Sequence, residues 1–232
     1  MHRLTRPNRA VAAAAIAIAV VAAACSSSSN DRVTPVKATV PVHAHEHAST
    51  GASAKKAAFH DDMRKLWEDH ITWTRLYIVS AEAGLPDTDA TLQRLLQNQT
   101  DIGNAIKPFY GDAAGAQLTS LLRDHIVIAG DLVAAAKAND TAKVATTKDE
   151  WYANADQIGD FLGQANPKQW PAAEMRQMMH EHLDNTLAEA VDHLKGDFAA
   201  DIADYDKVHV QILDMADMLS SGIVAQFPQQ FA

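Results

Sequence analysis

The feature that most constrains this chain is a histidine that returns at nearly even intervals. It stands at His70, His125 and His182, and fourteen positions after each comes Gly84, Asn139 or Gly196. Glycine and asparagine are the residues that tolerate the left-handed backbone closing a helix. Each unit therefore reads as a helix, a tight turn and a returning helix. The flanking pattern agrees. Phe59, Met63, Leu66, Trp67, His70, Trp73, Thr74, Tyr77 and Ala81 recur at threes and fours, which places them on one helix face. Further breaks fall at Gly84 to Asp87, Lys107 to Gly111, Asn139-Asp140, Asn166 to Pro171 and Gly196-Asp197. Helices are predicted over 58–83, 87–106, 113–138, 141–164, 171–195 and 198–225. No alternating run is long enough for a strand. The expected fold is an all-α, six-helix bundle built from three αα-hairpin repeats.

The returning helices add polar residues at matched depth. Asp101 follows His70 at the same interval as Asp156 follows His125, while His209 follows His182 four positions sooner. The helical rise puts each histidine roughly 20 Å below its turn, with the returning residue at nearly the same level. The first two hairpins are thus predicted to pair histidine with aspartate, and the third to pair two histidines. His70 sits on an apolar stripe between Leu66 and Trp73. His125 shares its stripe with Leu118, Leu122, Ala129 and Leu132, and His209 with Ile202, Tyr205, Ile212, Ala216 and Leu219.

A buried imidazole or carboxylate is costly unless paired, which leaves two explanations. Either each pair is a structural hydrogen bond that fixes hairpin register, or the pairs converge on one layer and bind a transition metal. Helical bundles build metal sites from imidazole and carboxylate groups on facing helices. The candidate ligands are His70, Asp101, His125, Asp156, His182, Asp206 and His209, for Zn, Fe, Mn or Cu. Asp206 and His209 stand at i and i+3, the spacing of carboxylate-bridged sites. The string His180-Glu181-His182-Leu183-Asp184 adds ligand types nearby, although neighbouring residues point to different faces.

The chain begins with a basic stretch containing Arg3, Arg6 and Arg9, followed by an apolar run from Ala10 to Ala24 and then Cys25. This is the layout of a secretion signal, and the run is shorter than the roughly 20 residues of a spanning helix. The string VAAAC resembles the lipobox of bacterial lipoproteins, in which the cysteine thiol is acylated and becomes the first residue. The family usually carries Leu three positions before the cysteine, where this chain has Ala22. Cys25 is the only cysteine, so it forms no internal disulfide. The resemblance implies cleavage of a signal at 1–24, palmitate-type lipid on Cys25, and a location on the outer face of the cell membrane.

Without residues 1–24 the chain carries 17 basic and 29 acidic side chains, a net charge of −12. That charge argues against nucleic acid and against electrostatic docking on anionic lipid. Residues 25–57 are rich in Ser, Ala, Thr, Val and Pro without a helical period, and are predicted to be a flexible tether. His43, His45 and His47 in that tether form a run that would catch Zn or Cu loosely. Residues 58–232 suffice for one domain with a core of its own. The Met group (Met175, Met178, Met179, Met215, Met218) reads as plastic packing before it reads as Cu(I) ligation.

Several strings carry resemblances. WEDHITWTRL, FYGDAAG, WYANADQI, HEHLD and ADIADYDKVHVQILDMADML resemble an uncharacterised family of bacterial all-helical proteins, over nearly all of residues 60–228. That likeness brings no established activity. The packing is expected to be similar to ferritin-like or DinB-type bundles. The former use two Glu-x-x-His motifs that this chain lacks, and the latter hold a metal with about three histidines. Hemerythrin-like ligand spacings do not map onto these residues. No Gly-rich phosphate loop supports a kinase, and no nucleophile stands in a Ser–His–Asp context. The sequence therefore leaves open whether the protein is an enzyme and which protein partner it has. Its two functional expectations are a lipid-anchored metal-binding protein and an interaction module whose polar pairs set register.

Overall fold

A computed structural model describes residues 45–232, with side chains from residue 51 onward. The expected secretion signal, Cys25 and His43 lie outside the described residues. The described chain is all-helical. Its elements are α1 (His45–Ala83), α2 (Thr88–Lys137), α3 (Thr141–Ala165), α4 (Ala172–Lys195), α5 (Phe198–Gln226) and a short 3-10 turn at Pro228–Phe231. Among the described residues, no helix is long and apolar enough to cross a membrane.

Two boundaries differ from those the sequence predicts. The first helix starts at His45 rather than residue 58, so 45–57 is helical backbone instead of tether. Those residues include Ala48, Ala52, Ala54, Ala57, Lys55 and Lys56, which favour helix by propensity alone. Residues 51–57 bury little and so leave no amphipathic period. Lys55 Nζ donates to the carbonyl oxygen of Ala232 at 2.5 Å, bringing α1 against the end of the chain.

The second difference concerns residues 107–112, where the sequence predicts a break. Helical structure continues through Pro108, and the departure is confined to Gly111, at φ 85° and ψ 169°. A φ of this sign favours glycine. The two limbs of α2 nevertheless fold back on each other. A Cβ on Gly103 would lie 2.5 Å from the Gly115 carbonyl oxygen, and one on Gly115 would lie 2.6 Å from that of Gly103. An unbroken helix between them would hold those backbones about 18 Å apart. Their contact requires the chain to reverse at Gly111, and only glycine at both positions allows so close an approach.

The remaining turns lie where the repeat put them. Gly84, Asn139 and Gly196 have φ values of 64°, 56° and 78°. Asp140 and Asp197 then cap the helices that follow, accepting from the backbone N–H of Lys143 and Ala200. Each cap satisfies one of the orphan donors of a helix start.

Sequential helices pack side by side, and α1 closes the ring against α5. The principal core fills the middle and one end. It includes Met63, Trp67, Leu118, Leu122, Trp151, Ile158, Trp170, Met175, Leu183, Ile212 and Met215. Met175, Met179 and Met215 are all buried there, which accords with packing. At that end Asn166 donates to the Gly222 carbonyl oxygen at 2.9 Å, and Trp170 donates to that of Met218 at 3.3 Å. A side chain on Gly222 would strike the Trp170 indole. These contacts tie the α3–α4 connection down and leave the three left-handed turns at the opposite end.

Candidate functional site

The three repeated histidines converge in the interior. His70 comes from α1, His125 from the second limb of α2 and His182 from α4, and none is more than 4% exposed. The His70 and His182 rings lie 5.8 Å apart between centroids, tilted by 42°. All three rings line one cavity of about 30 Å³. Thr74, Ala129 and Thr186, each four positions after its histidine, border that cavity, so it opens on the turn side of the rings. Tyr77, Trp151 and aliphatic side chains complete the wall.

Each imidazole is held from outside through Nδ1. His125 Nδ1 donates to Asn154 Oδ1 at 2.8 Å, and His182 Nδ1 donates to Gln211 Oε1 at 3.1 Å. Gln99 meets His70 Nδ1 at 3.2 Å through its amide nitrogen Nε2. The interval from histidine to amide is the same in all three pairs. The amide stands fifteen positions beyond the left-handed turn residue, where the histidine stands fourteen before it, so both sit at one level.

The amides also grip the opposite helix. Asn154 Nδ2 donates to the Leu121 carbonyl oxygen at 3.1 Å, and Gln211 Nε2 donates to that of Met178 at 3.2 Å. Both acceptors lie four positions before the histidine. At His70 two residues share these duties. Asn98 Nδ2 donates to the Leu66 carbonyl oxygen at 2.9 Å, while Gln99 takes His70.

Of the residues the sequence offered as ligands, His70, His125 and His182 are brought together. The other four stand elsewhere. Asp101 accepts from Gln97 at 3.0 Å on the surface. Asp156 pairs with half-buried His180 at 2.9 Å, and His209 pairs with Glu68 at 3.0 Å. Asp206 is exposed beside a surface groove with Glu181 and Lys207. Three of the four displacements have one cause. Asp101 and Asp156 lie two positions beyond the amides, and His209 lies two before Gln211, which turns each by about 200° around its helix. Of the stripe assigned to His209, Ile212, Ala216 and Leu219 are buried and Tyr205 packs against the core, while Ile202 is 56% exposed. The backbone at His45 and His47 belongs to α1.

Burial dominates the electrostatics of the centre. It pushes His125 down to about 3, with the neighbouring His182 adding to the effect. It takes His182 down to about 4 against the opposing Gln211 bond. His70 lies well below its ordinary value, through burial first and then through His182 and His125. All three are neutral at physiological pH, the state a metal requires of imidazole.

For an ion bound at about 2.0–2.1 Å from each nitrogen, two imidazole centroids lie roughly 5.2–5.5 Å apart. The separation of His70 and His182 is a few tenths of an ångström wider. Among the described residues, no group of three or more His, Cys, Asp or Glu side chains is already closed to an ion's dimensions.

Two turns above His182 lies a second polar cluster that the sequence did not signal. Arg75 donates to Glu189 at 2.8 Å and, through both terminal nitrogens, to Asp201 at 2.7 and 3.0 Å. His193 Nδ1 meets Asp201 at 2.9 Å, and the Arg75 guanidinium lies 4.8 Å above the Tyr205 ring. Burial raises Glu189 to about 7, in opposition to Arg75. Nearby Glu82 is raised to about 7 by the same cause.

No family model matches the chain, and no curated protein or solved structure matches it significantly.

Proposed function

We propose that this chain is a lipid-anchored protein of the bacterial cell envelope whose helical domain holds one transition-metal ion at His70, His125 and His182. In this reading the domain is a six-helix bundle of three αα-hairpins, each supplying one imidazole, with the two limbs of α2 counted separately. Cys25 carries the lipid and residues 1–24 are removed.

The observation that carries the metal reading is that three buried, neutral imidazoles make their hydrogen bonds through Nδ1 to amides on the returning helices. At His125 and His182, whose Nδ1 donates, this is the arrangement of metal-bound histidine, one ring nitrogen on the ion and the other held by an outer partner. The Nε2 edges are left for the cavity that the rings share. An all-imidazole set suits Zn, Cu or Fe, whereas Mn prefers oxygen ligands. Binding would draw the rings together by the few tenths of an ångström noted above.

A second reading is favoured by the Gln99 amide. With Nε2 facing His70 Nδ1, that ring accepts, and its proton sits on Nε2. A single water would then accept from His70 and donate to His125 and His182, and the centre would only fix helix register. The metal reading requires the amide turned over, so that Gln99 Oε1, which is buried without a partner, accepts from His70 Nδ1, at the loss of the bonds that Nε2 donates to the Leu95 carbonyl oxygen at 2.8 Å and to Asn98 Oδ1 at 3.1 Å.

The experiment uses the full-length chain carrying His43→Ala, His45→Ala and His47→Ala, which removes loose capture near the amino terminus. Elemental analysis is expected to find about one Zn, Cu or Fe per chain, lost when His125→Ala and His182→Ala are added. A metal-free protein whose melting point does not move on adding these ions would refute the reading. Under the register reading, His70→Leu with Gln99→Leu is tolerated, because both partners of a buried bond become apolar together.

A further inference from the structure

The cavity beside the imidazoles has two donors with nothing to donate to. Trp151 Nε1 and Thr186 Oγ1 are both buried without a hydrogen-bond partner, and both residues line the cavity. Of the buried polar atoms without a partner among the described residues, which also include Trp67 Nε1 and Thr147 Oγ1, these two belong to residues that line the cavity, where an absent water, ion or ligand accounts for such a group. Comparison with the first hairpin sharpens the case. Thr74 stands four positions after His70 and donates its hydroxyl to the His70 carbonyl oxygen at 2.8 Å. Thr186 stands four positions after His182, where the same backward bond is the default for a helical threonine. Its hydroxyl makes no such bond. The wall's other polar groups, Thr74, Tyr77 and the imidazoles, make no hydrogen bond to either donor, and the rest of it (Ile78, Leu95, Ile126 and Ala129) is apolar.

Size limits the occupant. A water needs about 10–15 Å³ of such space, and the cavity holds about 30 Å³. An ion among the three Nε2 atoms leaves room on the turn side for one or two further heavy atoms. Those atoms would accept hydrogen bonds from an indole N–H and a hydroxyl. Resting on the metal reading above, we propose that the ion keeps one position open for a small exogenous ligand, water, hydroxide or a diatomic, received by Thr186 Oγ1 and Trp151 Nε1. The centre is then an open site, of the kind with three protein ligands and one exchangeable one, rather than a closed structural one.

Cobalt(II) and cyanide test this in the full-length chain lacking the three amino-terminal histidines. Cobalt(II) is expected to bind at one equivalent and to give visible bands that shift on adding cyanide, with the cobalt retained after gel filtration. Thr186→Val and Trp151→Phe are each expected to weaken cyanide at least tenfold without lowering cobalt content. Thr186→Val also removes an orphaned hydroxyl and is expected to melt higher than the parent when metal-free. Bound cobalt whose spectrum ignores cyanide, or variants that bind cyanide as tightly as the parent, would overturn the open site and leave the metal reading standing. A chain that takes up no cobalt overturns both.

Discussion

Acid should loosen this bundle through its histidines, and the size of the effect follows from where they sit. Take the metal-free protein from pH 7.5 to pH 5. Above the unfolded value of 6.5, neither the folded nor the unfolded chain protonates His125 or His182, so their contribution to stability is complete. Below 6.5 the unfolded chain takes up protons that the folded centre refuses until about pH 4 for His182 and pH 3 for His125. Each imidazole therefore removes about 2 kcal/mol between pH 6.5 and 5. His70 acts in the same direction.

Glu189 works against this. Its carboxyl is raised to about 7 from 4.5, so the folded chain holds a proton that the unfolded chain lacks, and stability rises as pH falls through that window. Over the same interval it returns about 2 kcal/mol. Glu82 has the same sign but is half exposed, and solvent screens it. The net loss is about 2 kcal/mol from the two quantified histidines and Glu189, enlarged by His70, against a typical domain stability of about 5–15 kcal/mol.

Urea unfolding at pH 7.5, 6.5, 5.75 and 5 in the presence of a chelator measures it. Comparison with His125→Gln isolates the cause, because the glutamate terms cancel. Whatever the variant costs at pH 7.5, its stability should fall less steeply below 6.5 by about one proton, a factor of ten in the folding constant per pH unit. Parallel curves for parent and variant would refute the reasoning.

Two further outcomes follow from the packing. Arg75→Leu leaves Glu189 and Asp201 buried without their cation and should cost about 3–5 kcal/mol at pH 7.5. The cost should be smaller at pH 5, where Glu189 is protonated, and equal urea midpoint shifts at the two pH values would argue against that role. Gly103→Ala should lose about 1–3 kcal/mol, although alanine is ordinarily the better helix former by about 1 kcal/mol. A higher melting temperature for this variant would show that the two limbs of α2 do not need contact between their backbones.

Much of the architecture was legible because it is written in local signals. Residues that tolerate left-handed backbone marked the three turns, and apolar spacing marked the helices around them. The three histidines of the centre were legible for the same reason, since a repeated imidazole on an apolar stripe must be buried. Their partners were not. Aspartates were sought because charge suggests pairing with histidine, yet a buried neutral imidazole is satisfied by an amide at no cost in buried charge. Counting equal distances from the turn leads to Gln99, Asn154 and Gln211, and ranking residues by ligand chemistry leads past them. The Arg75 cluster was hidden for another reason. Glu189 and Asp201 occupy core-facing positions, so a reading that assigns charged residues to solvent rotates the face of α5. The helix over 45–57 rests on propensity, which leaves no periodic trace.

The ring closure of α1 against α5 has a consequence for when the histidine centre exists at all. Each histidine finds its amide on the very next helical limb, so those bonds need nothing beyond their own hairpin. The cavity needs His70 of α1 beside His182 of α4. It forms only when α1 has met the far end of the domain. Closing so long a loop carries the largest entropy cost among the contacts between neighbouring helices. A molecule bound in the cavity stabilises the closed ring by mass action, at the step where the chain alone is most reluctant. An occupant of the centre would thereby act as a clasp, and its removal should show first as exchange of the α1–α5 seam while contacts between consecutive helices hold.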